Sequence, residues 1–168
     1  MTPTRWTIVE AGEEVSGPIR ALDLASTDEV NHVRSSWYHT LRRKPERSGY
    51  VLMSDALGGQ RQGKPDPTYR NDFWAAHAER RETLLRRAEV RLATSPSGHT
   101  FIGWACVEPW RGYVHYVHVT KEFRRHGIAR QLLADMLDRK DVLYTNRTYD
   151  GDSCPLPQGW RFSALRML

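Results

Sequence analysis

The most constraining feature of this sequence is the run from Val117 to Leu133, VHVTKEFRRHGIARQLL. Val117 and Val119 stand two apart, as on one buried face of a strand. A basic, glycine-containing loop follows at once. Apolar residues then recur at Ile128, Leu132, Leu133, Met136 and Leu137, the spacing of a helix over Gly127–Lys140. Such a handover turns the first helical N–H groups outward without internal partners, and the macrodipole adds partial positive charge. A pyrophosphate fits a place of this kind. Gly127 lets the backbone come close, and Arg124, Arg125 and Arg130 add charge. An ordinary arginine-rich strand–helix turn would have the same composition, so the residues alone leave both readings open.

The elements around this segment define its setting. Arg5–Glu10 reads as a first strand. Ser26 and Glu29 have capping-box spacing, and Val30, Val33, Trp37 and Leu41 form one face of a helix that stops before Pro45. Ser48–Pro67 is punctuated by glycine and proline and reads as a long loop, a length usual for functional or disordered connections. Asp66–Pro67 opens a second helix through Phe73, Trp74, His77, Leu84 and Leu85. Glu89–Thr94 and Thr100–Val107 form a hairpin across Ser95–Gly98, and Tyr113–Val119 is a third strand. After the helix, Asp141–Thr148 and Trp160–Met167 are the last expected strands. The order predicts one α+β domain with a mainly antiparallel twisted sheet flanked by helices.

At 168 residues the chain suits a single domain that needs no metal or disulfide. Its two cysteines, Cys106 and Cys154, have neither zinc-site nor disulfide-framework spacing. No apolar run approaches the roughly 20 residues that cross a membrane. The stretch MTPTRWTIVEAGEE lacks a signal-peptide pattern, so a cytoplasmic protein is expected. The net charge of +5 is carried by arginine clusters, which fit solvated helix faces, a phosphorylated ligand or nucleic acid.

Arg124-x-x-Gly127-x-Ala129 resembles the (Gln/Arg)-x-x-Gly-x-(Gly/Ala) motif of the GNAT acetyltransferase superfamily. In that family the amides of this loop hold the pyrophosphate of CoA, and the backbone of the preceding strand, which carries two apolar residues two apart, pairs with the pantetheine. The resemblance implies acetyl-CoA as co-substrate, bound by Val117, Val119, Arg124, Arg125, His126, Gly127, Ile128, Ala129 and Arg130. It covers the element order from Arg5 to Thr148. More narrowly, Ser35-Ser-Trp-Tyr38, Phe73-Trp74 with His77, and Val114-His-Tyr-Val117 before Phe123-Arg-Arg resemble small GNAT-like proteins of bacteriophages, which implies a host cytoplasm. The chain departs from the superfamily at Lys121, where proline is frequent, and at Tyr149–Gly159, which replaces a helix bearing the tyrosine that protonates the thiolate.

Acyl transfer to an amine profits from a base. Many members carry a glutamate six residues before the second valine, the position of Tyr113, and serotonin N-acetyltransferase carries histidines six and four before it. By that resemblance His115 is the expected base, directly or through water. Regular alternation would place Tyr113, His115, Val117 and Val119 on one face, with Tyr116 and His118 opposite. Tyr113 is expected as a relay or positioning group, because a phenol with a pKa near 10 is a poor base. Tyr149 and Cys154 are candidate general acids. Trp104, Trp110, Phe73 and Trp74 are candidate walls of an acceptor pocket, and Ser48–Pro67 a candidate cover. The expected activity is N-acetylation of a small-molecule or protein amine. A phage-type modifier of DNA bases and a non-catalytic CoA-binding protein are the alternatives.

Overall fold

A computed structural model of the chain describes residues 2–10, 12–43, 60–61, 64–65, 67–145 and 157–163. Strands β1 (Arg5–Glu10) and β2 (Glu13–Ala21) form a hairpin, followed by helix α1 (Thr27–Arg43). A small antiparallel pair, β3 (Gln60–Arg61) and β4 (Lys64–Pro65), precedes α2 (Pro67–Arg87). Strands β5 (Glu89–Thr94), β6 (Phe101–Glu108) and β7 (Tyr113–Val119) meander antiparallel. Helix α3 (Ile128–Leu132), β8 (Leu143–Tyr144) and β9 (Arg161–Phe162) follow. The seven-stranded sheet runs β1-β2-β5-β6-β7-β8-β9, with only the β7–β8 and β8–β9 pairs parallel. This is the expected α+β layout.

Sequence reading missed β2. Gly17 and Pro18 argue against a strand interior, yet both have a local reason here. A Cβ on Gly17 would lie 2.7 Å from Trp6 Nε1 and 2.4 Å from the Thr94 carbonyl oxygen, so only glycine lets the Trp6 indole cross and donate to that carbonyl. Ile19 N–H bonds Thr4 on the β1 side, so the Pro18 nitrogen faces β5, where pairing begins only at Ile19.

The expected starts of α1 and α2 are found. Ser26 and Glu29 bond reciprocally, Ser26 N–H to Glu29 Oε2 at 2.7 Å and Glu29 N–H to Ser26 Oγ at 3.3 Å. Helix α2 opens at Pro67. The expected helix over Gly127–Lys140 is regular only to Leu132 and continues as turns to Asp138. Buried Arg91 on β5 is the physical reason. Its guanidinium takes the Leu132 carbonyl at 2.6 Å and grips both carboxylate oxygens of Asp135 at 2.7 and 2.8 Å. The strands expected over Asp141–Thr148 and Trp160–Met167 shorten to β8 and β9, and their far ends lie outside the described residues.

The sheet separates two cores. Under α3, Trp6, Ile8, Ala105, Val107, Val114, Ile128, Leu132, Met136 and Val142 pack together, with Val117, Val119 and Tyr144 at the margin. Under α1 and α2 the core is aromatic. Tyr116 lies 5.1 Å from Trp37 and 4.7 Å from Trp104, centroid to centroid.

Candidate functional site

Strand β7 links two groups of candidate residues. At its C-terminal half, Val117 and Val119 are half-buried against Ile128 and Leu132, so the sheet and α3 hold the loop between them. Within that loop, Arg124 Nε donates to the Val119 carbonyl at 3.0 Å, which folds the exposed side chain back onto the strand end. Two residues then adopt positive φ, Arg125 at 66° and Gly127 at 78°. The second suits glycine and the first is strained for any L side chain.

The first helical bond runs from Gln131 N–H to the Gly127 carbonyl at 3.1 Å. Hence the N–H groups of Ile128, Ala129 and Arg130 precede the ladder and meet no intrahelical acceptor. The Gly127 approach is open: a Cβ there would have only Gln131 Nε2 within 4 Å, at 3.9 Å. Arg125, His126 and Arg130 are exposed around these amides. One helical turn has only a fraction of a full macrodipole, so the positive potential of the loop comes mainly from its amides and guanidinium groups. Gln131 also braces the loop from beneath. Its side-chain amide accepts from Thr7 N–H at 2.6 Å and donates to the Thr7 carbonyl at 2.7 Å.

The N-terminal half of β7 departs from the expected facing. Cys106 pairs with Tyr116, but the next residue, Val107, pairs with Val114, so His115 is the extra residue of a β-bulge. The bulge shifts the alternation by one position. Val114, not His115, shares the α3 side with Val117 and Val119. His115 and Tyr113 lie instead with Glu108, toward α2. Tyr113 pairs directly with Glu108 and carries the Arg111 guanidinium over its ring at 4.7 Å.

His115 is fully buried. Nδ1 is 3.1 Å from Thr145 Oγ1, and Nε2 is 3.5 Å from Glu108 Oε1, an ion-pair distance without hydrogen-bond geometry. Glu108, only 1% exposed, pairs with Arg87 Nε of α2 at 3.0 Å and Arg111 Nη1 at 3.1 Å, both nearly half-exposed. Burial pushes the His115 imidazole down to about 4. The Glu108 carboxylate opposes that shift, while Arg87 and Arg111 add to it. The ring is therefore neutral near pH 7.

Sequence reading missed Glu108 and Thr145. Glu108 ends an otherwise apolar strand, FIGWACVE, just before Pro109, and a lone acid at a strand end resembles a solvated terminus. Its burial depends on Arg87, which lies 21 residues away on α2. That contact also accounts for one of the paired arginines of α2, and Arg81 and Arg86 pair within the helix, with Glu82 and Thr83.

The suggested pocket residues separate. Trp104 belongs to the aromatic core, where its indole donates to Ser36 Oγ at 2.9 Å, so it is not a pocket wall. Trp110 is 63% exposed beside Arg111. His118 is half-buried, its ring nearly parallel to that of Tyr116. The side chains of Phe73 and Trp74, together with Tyr149, Cys154 and most of Ser48–Pro67, lie outside the described residues. No described helix is long and apolar enough to cross a membrane.

The model of the acetyltransferase (GNAT) family matches residues 37–141, from the middle of α1 to the turn before β8. That span includes both halves of β7 and the whole loop. No curated protein and no solved structure matches the chain.

Proposed function

Since the chain belongs to the acetyltransferase (GNAT) family, we propose that it is an acetyl-CoA-dependent N-acetyltransferase with His115 as its base. The observation that carries this reading is the loop after β7. N–H groups of Ile128, Ala129 and Arg130 that precede the helical ladder, a left-handed Gly127 with free space at its Cα, and exposed guanidinium groups suit a pyrophosphate. Val117 and Val119 give the adjoining pantetheine a half-buried apolar strand end.

In the reaction, the lone pair of a neutral amine forms a bond to the thioester carbonyl carbon. The C–S bond breaks, its electron pair leaves on sulfur, and the departing thiolate takes a proton from solvent. The proton released by the attacking nitrogen must go to a base. His115 is neutral at pH 7, and Glu108 lies where it stabilises the imidazolium that forms. Tyr113 acts as a positioning group at the edge of this cluster.

The reading is tested by calorimetric titration with CoA of the wild type and Gly127→Val, and by thiol release from acetyl-CoA with a panel of amines. Binding by the wild type, at least about tenfold weaker binding by the variant, and amine-stimulated thiol release are expected. Equal affinities would place the pyrophosphate elsewhere. Binding without turnover would leave a CoA-binding protein that is not an enzyme.

A further inference from the structure

We propose that Thr145, His115 and Glu108 form a buried proton relay, in which Glu108 fixes the His115 ring and Thr145 hands it the acceptor's proton. The proposal rests on His115 as base and adds the path by which a proton reaches it. Alternation along β8 places the two ends together. Val142 and Tyr144 pack on the α3 side, so Thr145 faces the other side, where the bulge puts His115. Thr145 N–H bonds the Val114 carbonyl at 3.0 Å, which fixes the hydroxyl relative to β7. Thr145 stands next after Tyr144, which pairs with Val114, so it lies level with His115 and is fully buried like it.

The donor and acceptor inventory assigns the tautomer. A carboxylate only accepts, so Nε2 facing Glu108 carries the hydrogen. Nδ1 is then the basic nitrogen and accepts from the Thr145 hydroxyl. As the attacking nitrogen forms its bond to carbon, its proton reaches the buried Thr145 Oγ1 through water while the hydroxyl proton passes to Nδ1. Thr145 is unchanged, His115 becomes an imidazolium, and Glu108 faces the new charge. The pairing of an imidazole base with a carboxylate that orients it and stabilises the imidazolium recurs on unrelated folds, whereas the hydroxyl here relays a proton and forms no bond to carbon. Among the described residues, the charged and titratable groups around the ring include Glu108 of β6, Arg87 of α2, Arg111 of the β6–β7 connection and Tyr113 of β7. Arg87 and Arg111 hold the carboxylate in place, at the cost of a lower imidazole basicity.

Two measurements test the relay. Nitrogen-15 NMR of the protein without ligand, near pH 7, is expected to show the Nε2–H tautomer of His115, and a dominant Nδ1–H form would overturn the assignment. Thiol release from acetyl-CoA, with the panel of amines as acceptors, is then compared across variants of confirmed fold. Thr145→Val keeps the volume and loses the hydroxyl, and should slow release about 10–100-fold. Thr145→Ser keeps the hydroxyl and loses a methyl, and should stay within about threefold. A purely packing role for Thr145 predicts the reverse order. Glu108→Gln removes the carboxylate that raises the imidazole pKa, so it should move the acidic limb to lower pH. If His115→Ala is slow but the Thr145 and Glu108 variants change neither rate nor limb, the relay falls and the base reading stands. Full turnover by His115→Ala, or no turnover by the wild type, removes both.

Discussion

The two halves of β7 are built in different ways. The C-terminal half and its loop, Val117 to Arg130, are contiguous in sequence, largely exposed beyond Val119, and present backbone groups. The N-terminal half, Tyr113 to Tyr116, is buried and bulged, and its polar partners come from α2, β6 and the residue after β8. A site for an anionic nucleotide can be made from consecutive amides, because every residue carries one. A base cannot, because its environment must be assembled from side chains distant in sequence. Each half should therefore fail in its own way when altered.

The largest expected effect is on chemistry in the N-terminal half. His115→Ala should lower kcat by about 10²–10⁴-fold and leave the affinity for CoA unchanged, since no loop amide touches it. His118→Ala is the internal control and should act mainly through stability. A base must be deprotonated to accept a proton, so the acidic limb of the rate should lie near the imidazole value of about 4. A limb near 6.5, the ordinary histidine value, would show that the ring titrates in contact with water.

Next comes the support beneath the half that carries the loop. Arg91→Met removes the partner of Asp135 and Glu89 and frees the Leu132 carbonyl. Breaking such a buried pair costs about 3–5 kcal/mol, and the partial exposure of both acids puts the loss at about 3. Urea unfolding measures it. A loss below about 1 kcal/mol would mean that the turns after α3 are set by the apolar core alone.

This contrast also explains what could be read from sequence. The loop was legible because its determinants are local: Arg124, Gly127 and Ala129 at fixed spacing, after alternating valines and before an apolar helical stripe. The capping box at Ser26 and Glu29 was legible for the same reason. The bulge was not. VHYV alternates whether or not an extra residue sits in it, and only pairing with Cys106 and Val107 shows that His115 has changed sides. Strand β2 was hidden because Gly17 and Pro18 read as breakers until the position of Trp6 is known. The short α3 was hidden because Arg91 acts on it from 41 residues away.

Acid should weaken the buried half before it affects the loop. Burial holds His115 near 4, and also His77, where Arg81 and Arg80 add to the shift. Between about 6.5 and 4 the unfolded chain binds protons that these rings refuse. Stability is therefore fully present above pH 6.5 and declines as pH falls, by about 1.4 kcal/mol per unit for each ring, levelling near 4. Urea midpoints at pH 7 and 5 measure the slope. His77→Gln should remove about half of it. An unchanged midpoint would mean that both rings protonate in place.

In the loop proposed to bind CoA the expected effects are smaller and confined to binding. Arg124→Ala should weaken CoA about tenfold, as loss of one charge-assisted contact does, with kcat at saturation unchanged. A drop in kcat without a change in affinity would reverse the assignment of the two halves.

The smallest effect has two signs. Arg125 is the only described non-glycine residue at positive φ. Holding an L side chain there costs on the order of 1–2 kcal/mol, while glycine gives back about 0.5–1 kcal/mol in unfolded-chain entropy. Arg125→Gly should therefore raise stability by about 0.5 kcal/mol, read as a later urea midpoint. The same change removes an exposed guanidinium beside the open amides and should weaken CoA a few-fold. Strain kept where a glycine would fold better marks a position whose side chain is in use. A variant that gains stability and binds CoA as well as the wild type would show that the guanidinium takes no part in holding the pyrophosphate. A variant that loses stability would show that the left-handed turn is held by the arginine itself.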